Sequence, residues 1–209
     1  MIKRMIRLSF LLFSLVFITA CSSRDNSSLE SSKKEDKEAS AANEHSVKVD
    51  SKQVAELSQY FRQKSDEYAN GEVIWFEPKA APEYVNDNGL FCYFKTVNGV
   101  PEKLRFRFQY YAQDWLFIRK IQFLIDGVTY DFMPIETKSD NGKNGKIWEW
   151  IDQELSPDNR EFIYTLATAK TAKMKIIGRN YFDEKVVTQE QIKSIKQSLD
   201  LFRAMGGIY

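Results

Sequence analysis

The sequence predicts an α+β fold, mainly antiparallel β: a β-sandwich or strongly curved sheet covered by two or three short helices. Three observations carry this. Residues 90–133 hold four aromatic and β-branched segments in close succession, separated by turn residues. Helical periodicity is confined to short stretches near the two ends of residues 51–209. Strand-like segments follow one another in hairpin series and do not alternate with helices, which argues against a parallel, doubly wound sheet.

The elements follow in order. Asp50 caps a helix, with Gln53 three positions on, and Val54, Leu57, Phe61 and Tyr68 fall near one helical face. The expected helix runs to about Tyr68 and stops at Asn70-Gly71. Residues 72–77 (EVIWFE) read as a short strand, and Pro78 and Pro82 bracket an irregular stretch. Residues 90–97 (LFCYFKTV) form the next strand. Asn98-Gly99 is a hairpin signal, with Val100-Pro101 expected to lengthen the loop. Residues 103–111 alternate: Leu104, Phe106, Phe108 and Tyr110 face one way, and Arg105, Arg107 and Gln109 the other.

A long strand is expected over 115–125 (WLFIRKIQFLI), turning at Asp126-Gly127 into 128–133. Residues 139–146 read as a polar loop and 147–151 (IWEWI) as a strand. Ser156-Pro157 opens a helix to about Ala169. Residues 172–177 and 185–187 are strands around a turn near Arg179-Asn180. Thr188 and Gln191 box the start of a final helix, whose apolar stripe is Ile192, Ile195, Leu199, Phe202 and Met205.

Before this domain lies a different kind of sequence. Lys3, Arg4 and Arg7 precede the apolar run 8–20 (LSFLLFSLVFITA) with no intervening acid, the pattern of an export signal. Such a run spans about 20 Å as a helix, short of the roughly 30 Å of a bilayer core. The run ends Ile18-Thr19-Ala20-Cys21. An aliphatic residue, two small residues and a cysteine at this place resemble the lipobox of bacterial lipoproteins. The resemblance covers the first 21 residues only. It implies cleavage between Ala20 and Cys21 by signal peptidase II, a diacylglyceryl group on the Cys21 thiol, and a membrane contact through that anchor. Two acyl chains hold stably where one holds marginally. The implied location is the cell membrane on its extracytoplasmic face, or the outer membrane in a cell with two.

Residues 22–49 are rich in Ser, Lys, Glu and Asp and contain no aromatic. Such a segment cannot bury enough apolar surface to offset its ordering entropy, and it reads as a tether with a reach of roughly 30 Å. The expected organisation is therefore a signal peptide over 1–20, a lipidated Cys21 with its tether over 21–50, and a single β-rich domain over 51–209.

Composition narrows the function. The 209-residue chain has 30 basic and 29 acidic residues, and a net charge of +1 argues against a nucleic-acid partner. Its single histidine, His45, lies in the tether, so residues 51–209 contain none. Ser-His-Asp and Cys-His catalysis and His-ligated zinc thereby lose their central residue. No phosphate-cradling glycine motif occurs, and no cofactor is expected. The Asp140-Asn141-Gly142 segment lacks the later ligands of a calcium loop and reads as a hairpin turn; no metal is expected. Cys92, within LFCYF, reads as a small buried hydrophobe, the alternative being a reactive thiol.

Two residue sets remain as candidate ligand contacts. Arg105, Arg107 and Arg119, beside Lys120, could share one sheet face and bind an anion such as a wall polymer, a lipid head group or an acidic partner. Balanced by acids across the sheet, they are simply a solvated face. Trp148 and Trp150 share a face of one strand and would form a stacking platform if exposed, or ordinary core if buried. The expected function is a non-catalytic binding or structural module contacting an envelope or protein partner. The alternative is a hydrolase of wall glycans using carboxylates from among Glu149, Asp152, Glu154, Asp183 and Glu184.

Overall fold

Local alternation and turn chemistry account for most strands of this chain, and pairing between distant segments accounts for the rest. The computed structural model describes residues 48–209. The expected export segment, Cys21, His45 and all but the last residues of the expected tether lie outside the described residues.

The order of elements is α1 (Ser51–Ser58), β1 (Phe61–Ser65), β2 (Val73–Pro78), β3 (Gly89–Val97), β4 (Val100–Ala112), β5 (Lys120–Ile125), β6 (Val128–Phe132), β7 (Lys138–Asn141), β8 (Ile147–Glu154), a 3-10 turn at Pro157–Asn159, α2 (Arg160–Ala167), β9 (Ala172–Ile177), β10 (Phe182–Val187) and α3 (Gln189–Ala204). The strands form two sheets, one ordered β1-β2-β3-β4-β8-β7 and the other β10-β9-β5-β6. Every pairing is antiparallel. The mainly antiparallel α+β class read from the sequence is the observed one.

Turn chemistry sets the registers. Val97 pairs with Val100, so Asn98-Gly99 is a two-residue hairpin with both residues at positive φ, and Val100-Pro101 belong to β4. Ile125 pairs with Val128 around Asp126-Gly127 in the same way. Between the pairs Lys95–Glu102 and Tyr93–Arg105 the register shifts, because Lys103 adopts φ +54° and adds one residue to β4. This bulge puts Leu104, Phe106, Phe108 and Tyr110 on the buried side and Arg105 and Arg107 on the other.

The buried side of β4 is the centre of the core. The Phe106 ring lies 6.5 Å from Phe123 of β5, 4.9 Å from Phe132 of β6 and 5.9 Å from Phe162 of α2. The four-stranded sheet and α2 thus cover this part of the six-stranded sheet. Further along, Phe94 of β3 meets Phe202 of α3 edge-on at 5.2 Å. The α3 stripe read from the sequence is the face that packs here, with Ile192, Ile195, Leu199 and Phe202 buried and Met205 at its margin. A Thr188–Gln191 capping box starts the helix. Fully burying one such phenylalanine contributes about 1.5–3 kcal/mol.

Several expectations need correction. The first helix ends at Ser58, and Phe61 begins an edge strand whose partners come from β2. The Val54, Leu57 and Phe61 spacing satisfied helical periodicity, but pairing with residues 74–78 outweighed it. Residues 115–119 are not strand; β5 starts at Lys120. The amides of Leu116, Phe117 and Ile118 are taken by the side chain of Glu149, so these three residues join no ladder, and only Arg119 N–H reaches the Ile177 carbonyl at the start of the strand. The expected 139–146 loop contributes its first part to β7, and β8 and β10 are longer than their apolar segments suggested. Among the described residues no helix is long and apolar enough to cross a membrane.

Candidate functional site: the outer face of the six-stranded sheet

One face of the six-stranded sheet packs on the core. The other carries most of the residues singled out in the sequence. Register places Tyr93 beside Arg105, Arg107 beside Asp152, Gln109 beside Trp150 and Tyr111 beside Trp148. Lys64 of β1 lies opposite Trp75 of β2, and Arg62 opposite Glu77, on this same outer face.

Asp152 organises the middle of it. Arg105 Nε donates to Oδ1 at 2.8 Å and Arg107 Nη1 to Oδ2 at 3.2 Å. The Tyr93 hydroxyl donates to the same carboxylate at 2.8 and 2.9 Å. Burial and then the neighbouring Asp152 charge push the Tyr93 phenol up to about 12. Glu77 repeats the pattern nearer the edge, held by Arg62 at 3.0 Å and Lys64 at 3.3 Å. Each carboxylate is therefore shared by two cations.

The segment 79–88 folds back over part of this face. Arg62 donates to the Ala81 carbonyl at 3.0 Å, and Gln109 Nε2 donates to the carbonyls of Val85 and Asp87, both at 3.2 Å. Asn88 and Tyr111 exchange side-chain and backbone hydrogen bonds beyond them. A cavity of about 250 Å³ results, lined by Trp75, Phe91 and Tyr93 on the sheet, by Pro82, Tyr84 and Val85 from the segment, and by Lys64, Glu77, Arg107 and Gln109. Tyr93 lies 5.8 Å from Trp75 and 6.0 Å from Phe91, so the aromatic rings are continuous. Arg107 uses Nη1 on Asp152 and Nε on Gln109. Its Nη2 has no acceptor among the described residues.

The predicted sets are partly brought together. Arg105 and Arg107 share this face, as the alternation required, and so do Trp148 and Trp150. Arg119 does not: it leads into β5 of the other sheet, where its backbone N–H donates to Ile177. The expected pairing of the two strands does not form: β4 pairs with β3 and β8, whereas β5 begins only at Lys120 and pairs with β6 and β9. Trp148 and Trp150 are half-buried, stacked 3.8 Å apart at 16°, and lie outside the core cluster. They stand on the opposite side of Gln109 from the cavity and do not line it.

Sequence reasoning missed Lys64, Trp75, Glu77 and Tyr93 as a set. Their only signal was alternation in neighbouring strands, and the misread first helix concealed the strand that holds Lys64. A second depression of about 440 Å³ lies on the four-stranded sheet, where Lys173, Lys175 and Glu184 surround Leu124 and Val186 without an aromatic ring.

The remaining candidates lie elsewhere. Glu149 is 1% exposed and points to the core side of β8. It accepts the backbone N–H groups of Leu116, Phe117 and Ile118 at 2.6, 3.0 and 2.9 Å. Asp183 pairs with Lys185 at 3.3 Å. Cys92 is fully buried and unbonded to sulfur, and burial pushes its thiol well above the usual range, as expected of a small core hydrophobe. Asp140 and Asn141 end β7, and Gly142 closes the hairpin by donating to the Lys146 carbonyl. Among the described residues no cluster of three or more metal-ligating side chains occurs.

The chain matches no known protein-family model, and no curated protein is similar to it in sequence.

Proposed function

We propose that this chain is a lipid-anchored, extracytoplasmic bacterial lipoprotein whose domain acts as a non-catalytic binding module in the cell envelope. The anchor is the acylated Cys21, and residues 22–50 are the tether. The outer face of the six-stranded sheet is the binding face.

One observation carries the last assignment. Aromatic and cationic side chains from β1, β2, β3 and β4 converge on a cavity on the sheet face opposite the core. A face needed only for solubility has no use for so many half-buried rings, whereas a ligand surface has. The carboxylates near this face support a non-catalytic role. Asp152 accepts from two arginines and a tyrosine, and Glu77 from an arginine and a lysine. Both are engaged in ion pairs that hold the cations of this face in place.

Two measurements test this. Cys21→Ser is expected to abolish acylation and release the protein from membranes or leave its leader uncleaved; a variant that stays membrane-bound at the processed mass overturns the anchor. The full chain in detergent is expected to sediment with isolated cell-wall sacculi, and Arg107→Gln to reduce this. Sedimentation identical to that of an unrelated lipoprotein overturns the binding role.

A further inference from the structure

We propose that the cavity beneath segment 79–88 is a binding site for an acidic saccharide, with a sugar ring packed on Trp75 and Tyr93 and its carboxylate held by Arg107 and Lys64. This rests on the reading of the outer sheet face as the binding face and gives that face a ligand class.

Charge sets the first requirement. Within the cavity and its immediate support stand four cations, Arg62, Lys64, Arg105 and Arg107, against the carboxylates Glu77, Glu83 and Asp152. A surplus of one positive charge beside an aromatic floor favours an anion with an apolar body. Arg107 adds direction. Its Nε and Nη1 are fixed by Gln109 and Asp152, so the guanidinium plane is set before any ligand arrives, and the donors of Nη2 remain for a carboxylate oxygen.

Shape and hydrogen bonding set the second. About 250 Å³ accommodates one ring and is small for a drug-sized molecule. The C–H faces of a pyranose pack on aromatic rings, and Trp75 and Tyr93 supply adjoining ones. The margin carries acceptors as well as donors, with Glu77 and Glu83 among the lining residues. An aromatic carboxylate would leave those acceptors facing a ligand without donors. The hydroxyl groups of a sugar satisfy them.

The test uses the full chain in detergent and two pairs of small probes, read by ligand-observed NMR and calorimetry at millimolar concentration. N-acetylmuramic acid is compared with N-acetylglucosamine, which lacks its carboxylate, and glucuronic acid with glucose. The acid of at least one pair is expected to bind at least tenfold more tightly than its neutral counterpart. Arg107→Gln should remove that preference, Trp75→Ala should abolish binding of both members, and Leu124→Ala on the other sheet should change neither. Lys64→Ala, at an exposed position, is expected to weaken the acid alone and keeps the test decisive if Trp75→Ala fails to fold. Equal binding of acid and neutral sugar, or acid binding unaffected by Arg107→Gln and Lys64→Ala, overturns the proposal. Sacculus binding without binding of any of the four sugars overturns the saccharide site alone. Loss of sacculus binding as well overturns the parent reading.

Discussion

Glu149 Oε1 accepts the backbone N–H of Phe117 at 3.0 Å, and Phe117 sits at φ +55° and is 53% exposed. A bulky residue rarely occupies the left-handed region. Here a buried carboxylate holds the whole turn of backbone, taking Leu116 and Ile118 as well, so that both of these side chains enter the core while the exposed Phe117 stacks at 5.8 Å on Trp115 at the core's margin.

Glu149→Ala is therefore expected to destabilise the domain by about 3–5 kcal/mol, because it leaves the amides of residues 116–118 without their acceptor. Glu149→Gln keeps one acceptor oxygen and should cost less. Urea denaturation followed by tryptophan fluorescence measures both. Wild-type stability in Glu149→Ala would show that the three hydrogen bonds are incidental.

The same backbone segment constrains Gly178. A Cβ built there would lie 1.9 Å from the Leu116 carbonyl oxygen, which also accepts the N–H of Arg179 at 2.9 Å. Gly178→Ala must push the β9–β10 hairpin away from residues 115–119, at an expected cost of about 3 kcal/mol. The thermal midpoint should drop accordingly. An unchanged midpoint contradicts the close approach.

Lys103 offers a change in the other direction. It is exposed, and its φ of +54° at the bulge suits glycine better than any side chain. Lys103→Gly is expected to stabilise the domain by about 0.5–1 kcal/mol. Calorimetry should find a higher midpoint; a lower one means that the lysine stem packs in a way that outweighs the backbone strain.

Tyr93 makes stability fall at high pH. Burial and Asp152 push its phenol up to about 12, against about 10 in an unfolded chain. A phenol whose folded value is raised contributes fully below about pH 10, and that contribution is lost as pH climbs toward 12. Tyr93 is partly screened by solvent, so the loss expected is about 1–2 kcal/mol. Unfolding free energies at pH 8, 10 and 11.5 for wild type and Tyr93→Phe provide the check. The variant should show a shallower decline above pH 10, and parallel curves would remove Tyr93 as the cause. Tyr110, also pushed up to about 12 by burial and by Asp183, continues to titrate in that variant.

The parts of the fold legible in the residues are those set by neighbours in the chain. The alternation from Leu104 to Tyr110 assigned Arg105 and Arg107 to the outer face, because side chains of a strand point to opposite sides in turn. Asn98-Gly99 and Asp126-Gly127 marked their hairpins by tolerating positive φ, and Thr188 with Gln191 marked the start of α3 through a hydrogen-bond pair three residues apart. The candidate site was legible only in halves: Arg107 was singled out, whereas Trp75, Tyr93 and Lys64 were not placed in a site.

The chain by itself thus determined the antiparallel α+β class, the faces of β4 and α3, and a histidine-free domain, since each depends on residue type or short-range periodicity. Only the tertiary structure decided that Phe61 starts a strand, that residues 115–119 leave the sheet, that Arg119 parts from Arg105 and Arg107, and that segment 79–88 roofs a cavity over Trp75. Those outcomes depend on hydrogen bonds between residues far apart in sequence, such as Arg62 with Ala81, Gln109 with Val85 and Glu149 with Phe117. Contacts of that span leave no periodic trace in the residues that make them.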